Sequence, residues 1–78
     1  MQAKPELRDF DATLAAIEDS RSAFEQYHAM LLAVEMIDDL SASQRHQLTE
    51  VVRRVRGLRF RRDSDRWLLS EEILLRVK

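Results

Sequence analysis

The sequence predicts an all-α fold, a compact bundle of four to five short helices. One glycine and one proline occur in 78 residues, so a sheet with several tight turns would lack the residues that form its corners. Apolar residues make up 45% of the chain, and they recur at steps of three and four, the period of an amphipathic helix. A chain of this length forms one domain, so residues 1–78 are expected to fold as a single helical unit.

The first predicted helix begins near Pro5, because a proline in the first turn has no N–H that the helix would need. An amphipathic stripe at helical spacing follows, formed by Leu7, Phe10, Leu14 and Ile17. The pattern stops at the polar segment EDSRS. We therefore expect a short helix that packs one face on the core.

The second helix is predicted over residues 23–40, opened by Ser22 and Glu25 as a capping box. It is the most apolar segment, and a broad apolar face is expected from Phe24, Tyr27, Met30, Leu31, Val34, Ile37 and Leu40. A helix with so wide an apolar face packs on several sides, so we expect it at the centre of the bundle. Leu32 lies instead on the polar side, either as an isolated exposed leucine or as an apolar anchor for a partner.

The third helix is predicted over residues 42–56, opened by a second capping box of Ser41 and Gln44. Its apolar side is formed by Leu48, Val51, Val52 and Val55. Gly57 follows the last periodic residue, and a glycine in this position is typical of a helix end in the left-handed conformation. We therefore expect the third helix to end there.

The remainder is predicted as a loop or a brief extended segment and then two short helices. Phe60 is expected to pack beneath this loop, and Asp63 or Ser64 begins the next helix. The two helices are expected over residues 64–69 and 71–77. Trp67 could form an interface anchor, but its leucine neighbours favour burial in the core.

Charge is distributed unevenly along the chain. Residues 1–40 contain nine acids and three bases, a balance of −6, and residues 41–78 contain five acids and ten bases, a balance of +5. The near-neutral total of −1 therefore conceals a strongly dipolar chain. Seven arginines occur in one short run: Arg53, Arg54, Arg56, Arg59, Arg61, Arg62 and Arg66.

This distribution predicts a non-catalytic protein–protein interaction module with a basic and an acidic face. The predicted basic contacts are Arg53, Arg56, Arg59, Arg61, Arg62 and Arg66. The predicted contacts of the second helix are Glu25, Leu32, Glu35, Asp38 and Asp39. The expected partner is a copy of the same chain or a related helical domain, because opposed charges allow copies to stack head to tail.

Three alternatives stay open. The arginines could bind DNA in a helix-turn-helix arrangement, although the pI near 6.1 is low for a small DNA-binding domain. The chain could be a small inhibitor or antitoxin whose acidic half masks a basic site. The arginines could also be a solvated surface with intramolecular ion pairs, such as Arg62 with Asp65 or Arg66 with Glu71.

The sequence offers no constellation for catalysis, for a metal or for a cofactor. Cysteine is absent, which excludes disulfides and thiolate sites. Glu25 and His28 have the spacing of an E-x-x-H metal motif, but only one such pair occurs, and it lies on the polar side of its helix. Neither a signal peptide nor a membrane span is predicted, because the longest apolar run is AMLLAV. We expect a cytoplasmic protein that is not an enzyme and has no membrane partner.

A central apolar helix FEQYHAMLLAVEMI, acids before Ser41 and arginines after it together give a family resemblance. The chain resembles death-fold adaptors and, more loosely, the death-like and effector-associated modules of bacterial conflict (defence) systems. The resemblance implies a helical bundle that works by homotypic or paired association and recruits a separate effector.

Overall fold

Residues 9–78, the part of the chain that the computed structural model describes, contain no strand and four α-helices. The helices are α1 (Phe10–Asp19), α2 (Ala23–Met36), α3 (Ala42–Arg59) and α4 (Asp65–Arg76), and a 3-10 turn (Ile37–Asp39) follows α2. The predicted all-α fold is confirmed. The prediction of one helix from near Pro5 through Ile17 is wrong at its start, because the helix that contains Ile17 begins at Phe10, after an extended Asp9. Pro5 and Leu7 themselves lie outside the described residues.

Side-chain caps begin each helix. Asp9 accepts a hydrogen bond from the backbone N–H of Ala12 (3.1 Å), and Ser22 and Ser64 cap α2 and α4 in the same way. Ser41 and Gln44 form the predicted capping box, with bonds of 3.1 and 3.0 Å in the two directions. These caps supply acceptors for N–H groups that have no partner within the helix.

The four helices form a ring in which each packs mainly against two others. Helices α1 and α4 both pack against α2 and α3. The order around the ring is therefore α1, α2, α4, α3, and the α2–α4 face lies opposite the α1–α3 face. One apolar stripe from each helix fills the middle, with Phe10, Ile17, Ala29, Met30, Ala33, Met36, Ile37, Leu48, Val51, Val52, Val55, Phe60 and Ile73.

The predictions for the second helix are partly wrong. The helix is one of four in the ring and does not lie at the centre, and its α-helical part ends at Met36. Met30 is buried as expected, but Phe24 is 76% exposed and Leu31 is 39% exposed. The polar Gln26 is fully buried in their place. The apolar face is wider than two neighbouring helices can cover, so its edge remains at the surface.

The predicted left-handed stop at Gly57 is wrong. Gly57 lies inside α3, which continues to Arg59, and it has no positive φ. The left-handed residue is Asp63, with φ of 67° in the turn before α4. The longer helix ends directly before Phe60, which is buried as predicted.

The last segment is one helix and not the two predicted. Ser70 does not cap a new helix, because it is buried inside α4 and its hydroxyl donates to the Trp67 carbonyl (2.6 Å). A serine in the interior of a helix satisfies its hydroxyl in this way. Trp67 is partly buried and packs on the core, as expected.

Candidate interaction surfaces

Four of the seven arginines contact other elements of the bundle. Arg54, which was not among the predicted partner contacts, forms an ion pair with Glu18 of α1. Arg56 pairs with Glu71 of α4 at 2.5 Å, and its guanidinium carbon lies 3.9 Å from the centre of the Trp67 ring. These two arginines connect α3 to both of its neighbours in the ring, α1 and α4.

Arg59 and Arg66 act in the same way at the end of the bundle that contains the α1–α2 and α3–α4 loops. Arg59 donates to the backbone carbonyl of Ser20 (2.8 Å). Arg66 donates to Oε1 of Gln26 (2.6 Å), and its guanidinium lies 5.0 Å from the centre of the Phe60 ring. The predicted ion pairs of Arg62 with Asp65 and of Arg66 with Glu71 are not formed within residues 9–78; Glu71 pairs with Arg56 instead.

The other three arginines remain available to a partner. Arg53, Arg61 and Arg62 are exposed, and none of them forms an ion pair with another residue of the 9–78 region. Arg53 lies on α3 beside the α3–α4 cleft, and Arg61 and Arg62 lie in the loop after α3. Of the predicted basic face, these three guanidinium groups are therefore the ones that no acid among residues 9–78 pairs with.

The predicted acidic residues of the second helix do not form one patch. Glu25, Glu35, Asp38 and Asp39 are all exposed. Glu25 is at the N-terminal end of α2, about 15 Å along the axis from Glu35 at a rise of 1.5 Å per residue. Leu32, also predicted as a contact, is half-buried and is less exposed than Leu31.

An apolar groove between α2 and α4 is the feature that sequence reasoning missed. Two adjoining hollows that share Tyr27 and Asp65 make up its length. Its apolar lining comprises Phe24, Tyr27, Leu31, Val34, Leu68 and Leu69. Because Phe24 and Leu68 are 76% and 55% exposed, the groove offers apolar surface to the solvent. The helical period alone showed the wide apolar face of α2, but not which edge would stay uncovered.

Charged groups border this groove; most of them are acidic, but the basic Arg66 also lines the first hollow. Asp65 lies where the two hollows join, and Glu72 lines the second of them. Glu35 follows Leu31 by one helical turn, which places both on the same side of α2. Glu72 is held by Arg76 at 2.7 Å, whereas Asp65 and Glu35 form no ion pair within residues 9–78.

Leu58 is the most exposed large apolar residue on the other side of the bundle. It is 77% exposed in the last turn of α3. It follows Arg54 by four residues and therefore lies on the same side of α3, the side that contacts Glu18 of α1. We call Leu58, Arg61 and Arg62 the basic corner; its leucine is on the α1–α3 face, opposite the groove.

Within residues 9–78, no group of three or more His, Asp or Glu side chains is arranged to hold a metal ion. The E-x-x-H pair lies on the surface, where His28 stacks against Phe24 with ring centres 6.3 Å apart. His46 and Glu50 are likewise exposed, 3.9 Å apart. No helix in the same range has the length and hydropathy needed to cross a membrane.

Comparisons with protein-family models, with curated proteins and with solved structures give no match to this chain. The resemblance to death-like adaptor modules stays a prediction. The class of protein that the described fold defines is a small four-helix domain with two exposed surfaces, the groove and the basic corner.

Proposed function

We propose that this domain is a non-catalytic protein–protein interaction module that associates with copies of itself or with a related helical domain. One observation carries the proposal. A groove with exposed apolar side chains and a mainly acidic border lies on one face of the bundle. An exposed leucine lies across from it, close in sequence to two arginines that form no ion pair within residues 9–78.

Burial of the exposed apolar side chains is expected to contribute most of the free energy of association. Covering an exposed leucine or phenylalanine contributes about 1.5–3 kcal/mol, and a few such residues account for most of the affinity of a typical interface. Phe24 and Leu68 are exposed on neighbouring helices, so one partner surface can cover both. The charges around them mainly accelerate encounter and determine orientation.

The intramolecular arginine contacts argue against nucleic acid as the partner. Arg54, Arg56, Arg59 and Arg66 already have acceptors in the bundle. If only the three remaining arginines of the run contact phosphates, log K should fall with log salt concentration with a slope of about −3. Specific DNA-binding proteins with 6–10 phosphate contacts show slopes of about −5 to −9.

Light scattering on the purified domain over a range of concentrations, at low and high salt, tests the proposal. We expect the mass to rise above the 9.2 kDa of the monomer as concentration increases, and high salt to weaken the association only partly, because apolar contacts are not screened. A constant monomer mass at every concentration and salt would contradict the self-association part. Tight binding to a DNA duplex, with a steep salt dependence, would favour the alternative.

A further inference from the structure

We infer that the occupant of the α2–α4 groove is the basic corner of a second copy, so that copies join head to tail. This inference depends on the proposed function, since it names the partner and the contact. Leu58 of one copy would lie on the apolar lining of the next, with Arg61 and Arg62 beside the acids at the border.

The first support is the apolar match. The groove presents Phe24, Leu31 and Leu68, which the bundle leaves partly or largely exposed. The corner presents Leu58, which is 77% exposed; the nearest acid in the sequence, Asp63, lies five positions later. A single projecting leucine fits a groove between two helices, because the groove offers apolar contacts on both sides of it.

The second support is the charge match. Asp65 and Glu35 border the groove without an intramolecular ion pair in the described region, and Arg61 and Arg62 have none either. Docking of the corner would pair these arginines with these carboxylates. Opposite potentials of this kind steer the encounter and disfavour the approach of two corners or of two grooves.

The third support is the placement of the two surfaces. The groove is on the α2–α4 face, and Leu58 is on the opposite α1–α3 face of the ring. A contact between different surfaces is heterologous, so each copy that docks leaves one groove and one corner free. Association of this geometry builds open chains, or rings where the rotation between copies closes, and does not stop at a symmetric dimer.

Two variants that each block one surface test this geometry. Leu58→Glu places an acid on the corner, against the acidic border of the groove, and Leu68→Glu removes an apolar contact inside the groove. Both positions are exposed on helices, so far-UV circular dichroism should show unchanged helicity. Leu75→Glu is the matched control for Leu68→Glu. Leu75 is 68% exposed and lies on α4 like Leu68, but it lines the α3–α4 cleft and not the groove.

Light scattering should give the 9.2 kDa monomer mass for each blocked variant alone. An equimolar mixture of the two should give a mass of about twice that and no more. In the mixture the intact corner of the Leu68→Glu copy docks in the intact groove of the Leu58→Glu copy, and the remaining surfaces repel. The control should associate as the unmodified domain does.

Three results would overturn the inference, and they differ in what else they affect. If the unmodified domain associates but the mixture remains monomeric, the head-to-tail pairing is wrong and the interaction module stands. The same holds if either blocked variant associates like the unmodified domain. If the unmodified domain is monomeric under every condition, the pairing and the proposed self-association fail together.

Discussion

Replacing Gln26 by methionine should lower the free energy of unfolding by about 2 kcal/mol, because the substitution removes two buried hydrogen bonds. Gln26 is fully buried; its Nε2 donates to the Ile17 carbonyl (2.7 Å), and its Oε1 accepts from Arg66 (2.6 Å). Ile17 is in the last turn of α1, where backbone carbonyls have no donor within the helix. The amide of Gln26 supplies that donor and joins α1 to α2.

The magnitude follows from three contributions. Methionine has nearly the volume of glutamine, so little cavity is created. A buried Ile17 carbonyl without a donor costs about 1–3 kcal/mol, and loss of the bond from Arg66 adds about 1 kcal/mol, because the partly exposed guanidinium regains water. Burial of an apolar side chain in place of the amide returns about 1 kcal/mol. The net loss of about 2 kcal/mol corresponds to a Tm lower by about 8–16 °C in a domain of this size.

Urea denaturation followed by far-UV circular dichroism measures the loss. Gln47→Met is the control, because Gln47 is exposed on α3 and its substitution should change stability by less than about 0.5 kcal/mol. If Gln26→Met shifts the midpoint no further than Gln47→Met does, the buried amide stabilises nothing, and the reasoning is refuted.

Three further predictions concern the α3–α4 region, and thermal denaturation measures each. Gly57→Ala should raise stability by about 0.5–1 kcal/mol, because Gly57 is helical and an added Cβ meets no atom within 4 Å. A decrease in stability would indicate that Gly57 adopts the left-handed conformation and ends the helix. Ser64→Ala should lower stability by about 1 kcal/mol, since the hydroxyl accepts from the Trp67 N–H at 3.2 Å, and an unchanged Tm would show that the cap contributes nothing. Asp63→Val should cost about 1–3 kcal/mol because of its φ of 67°, whereas Asp63→Gly should cost nothing, and equal losses in both would rule out backbone strain as the cause.

Helix starts could be predicted from the sequence because their signals are local. Ser22, Ser41 and Ser64 each cap the N–H of the residue three positions later, a contact made within one turn. The box at Ser22 is only half formed, because the side chain of Glu25 accepts from the Ser20 hydroxyl at 3.3 Å. The cap itself needs only the first turn of the helix, whereas the reciprocal bond also depends on which nearby hydroxyl competes for the Glu25 carboxylate.

Helix ends and breaks could not be predicted in the same way. Gly57 is a residue type typical of a helix end, and Ser70 is one typical of a helix start, yet both lie inside helices. The last turn of α3 brings Arg59 to the Ser20 carbonyl and ends where Phe60 enters the core. These tertiary contacts outweigh the cost of about 1 kcal/mol that a glycine inside a helix carries relative to alanine.

The groove could not be predicted because amphipathicity shows how wide an apolar face is, but not how much of it neighbours cover. Phe24 and Leu31 were indistinguishable in the periodic pattern from Met30, which is fully buried. The difference arises because α2 packs against α1 on one side and α4 on the other. Only the order of helices around the ring determines which edge of the face stays exposed, and that order is a property of the whole chain.

The arginine run shows why charge counted along a chain does not define a surface. Arg54, Arg56, Arg59 and Arg66 find acceptors 15 to 40 residues away, so most of the run already has contacts within the bundle, although Arg54 and Arg59 remain exposed. With Arg61 and Arg62 left beside an exposed Leu58, an interface has few charges and must gain most of its affinity from apolar burial. Partial resistance to salt is therefore the expected signature of this surface, and complete dissociation in salt would indicate a contact built from charges alone.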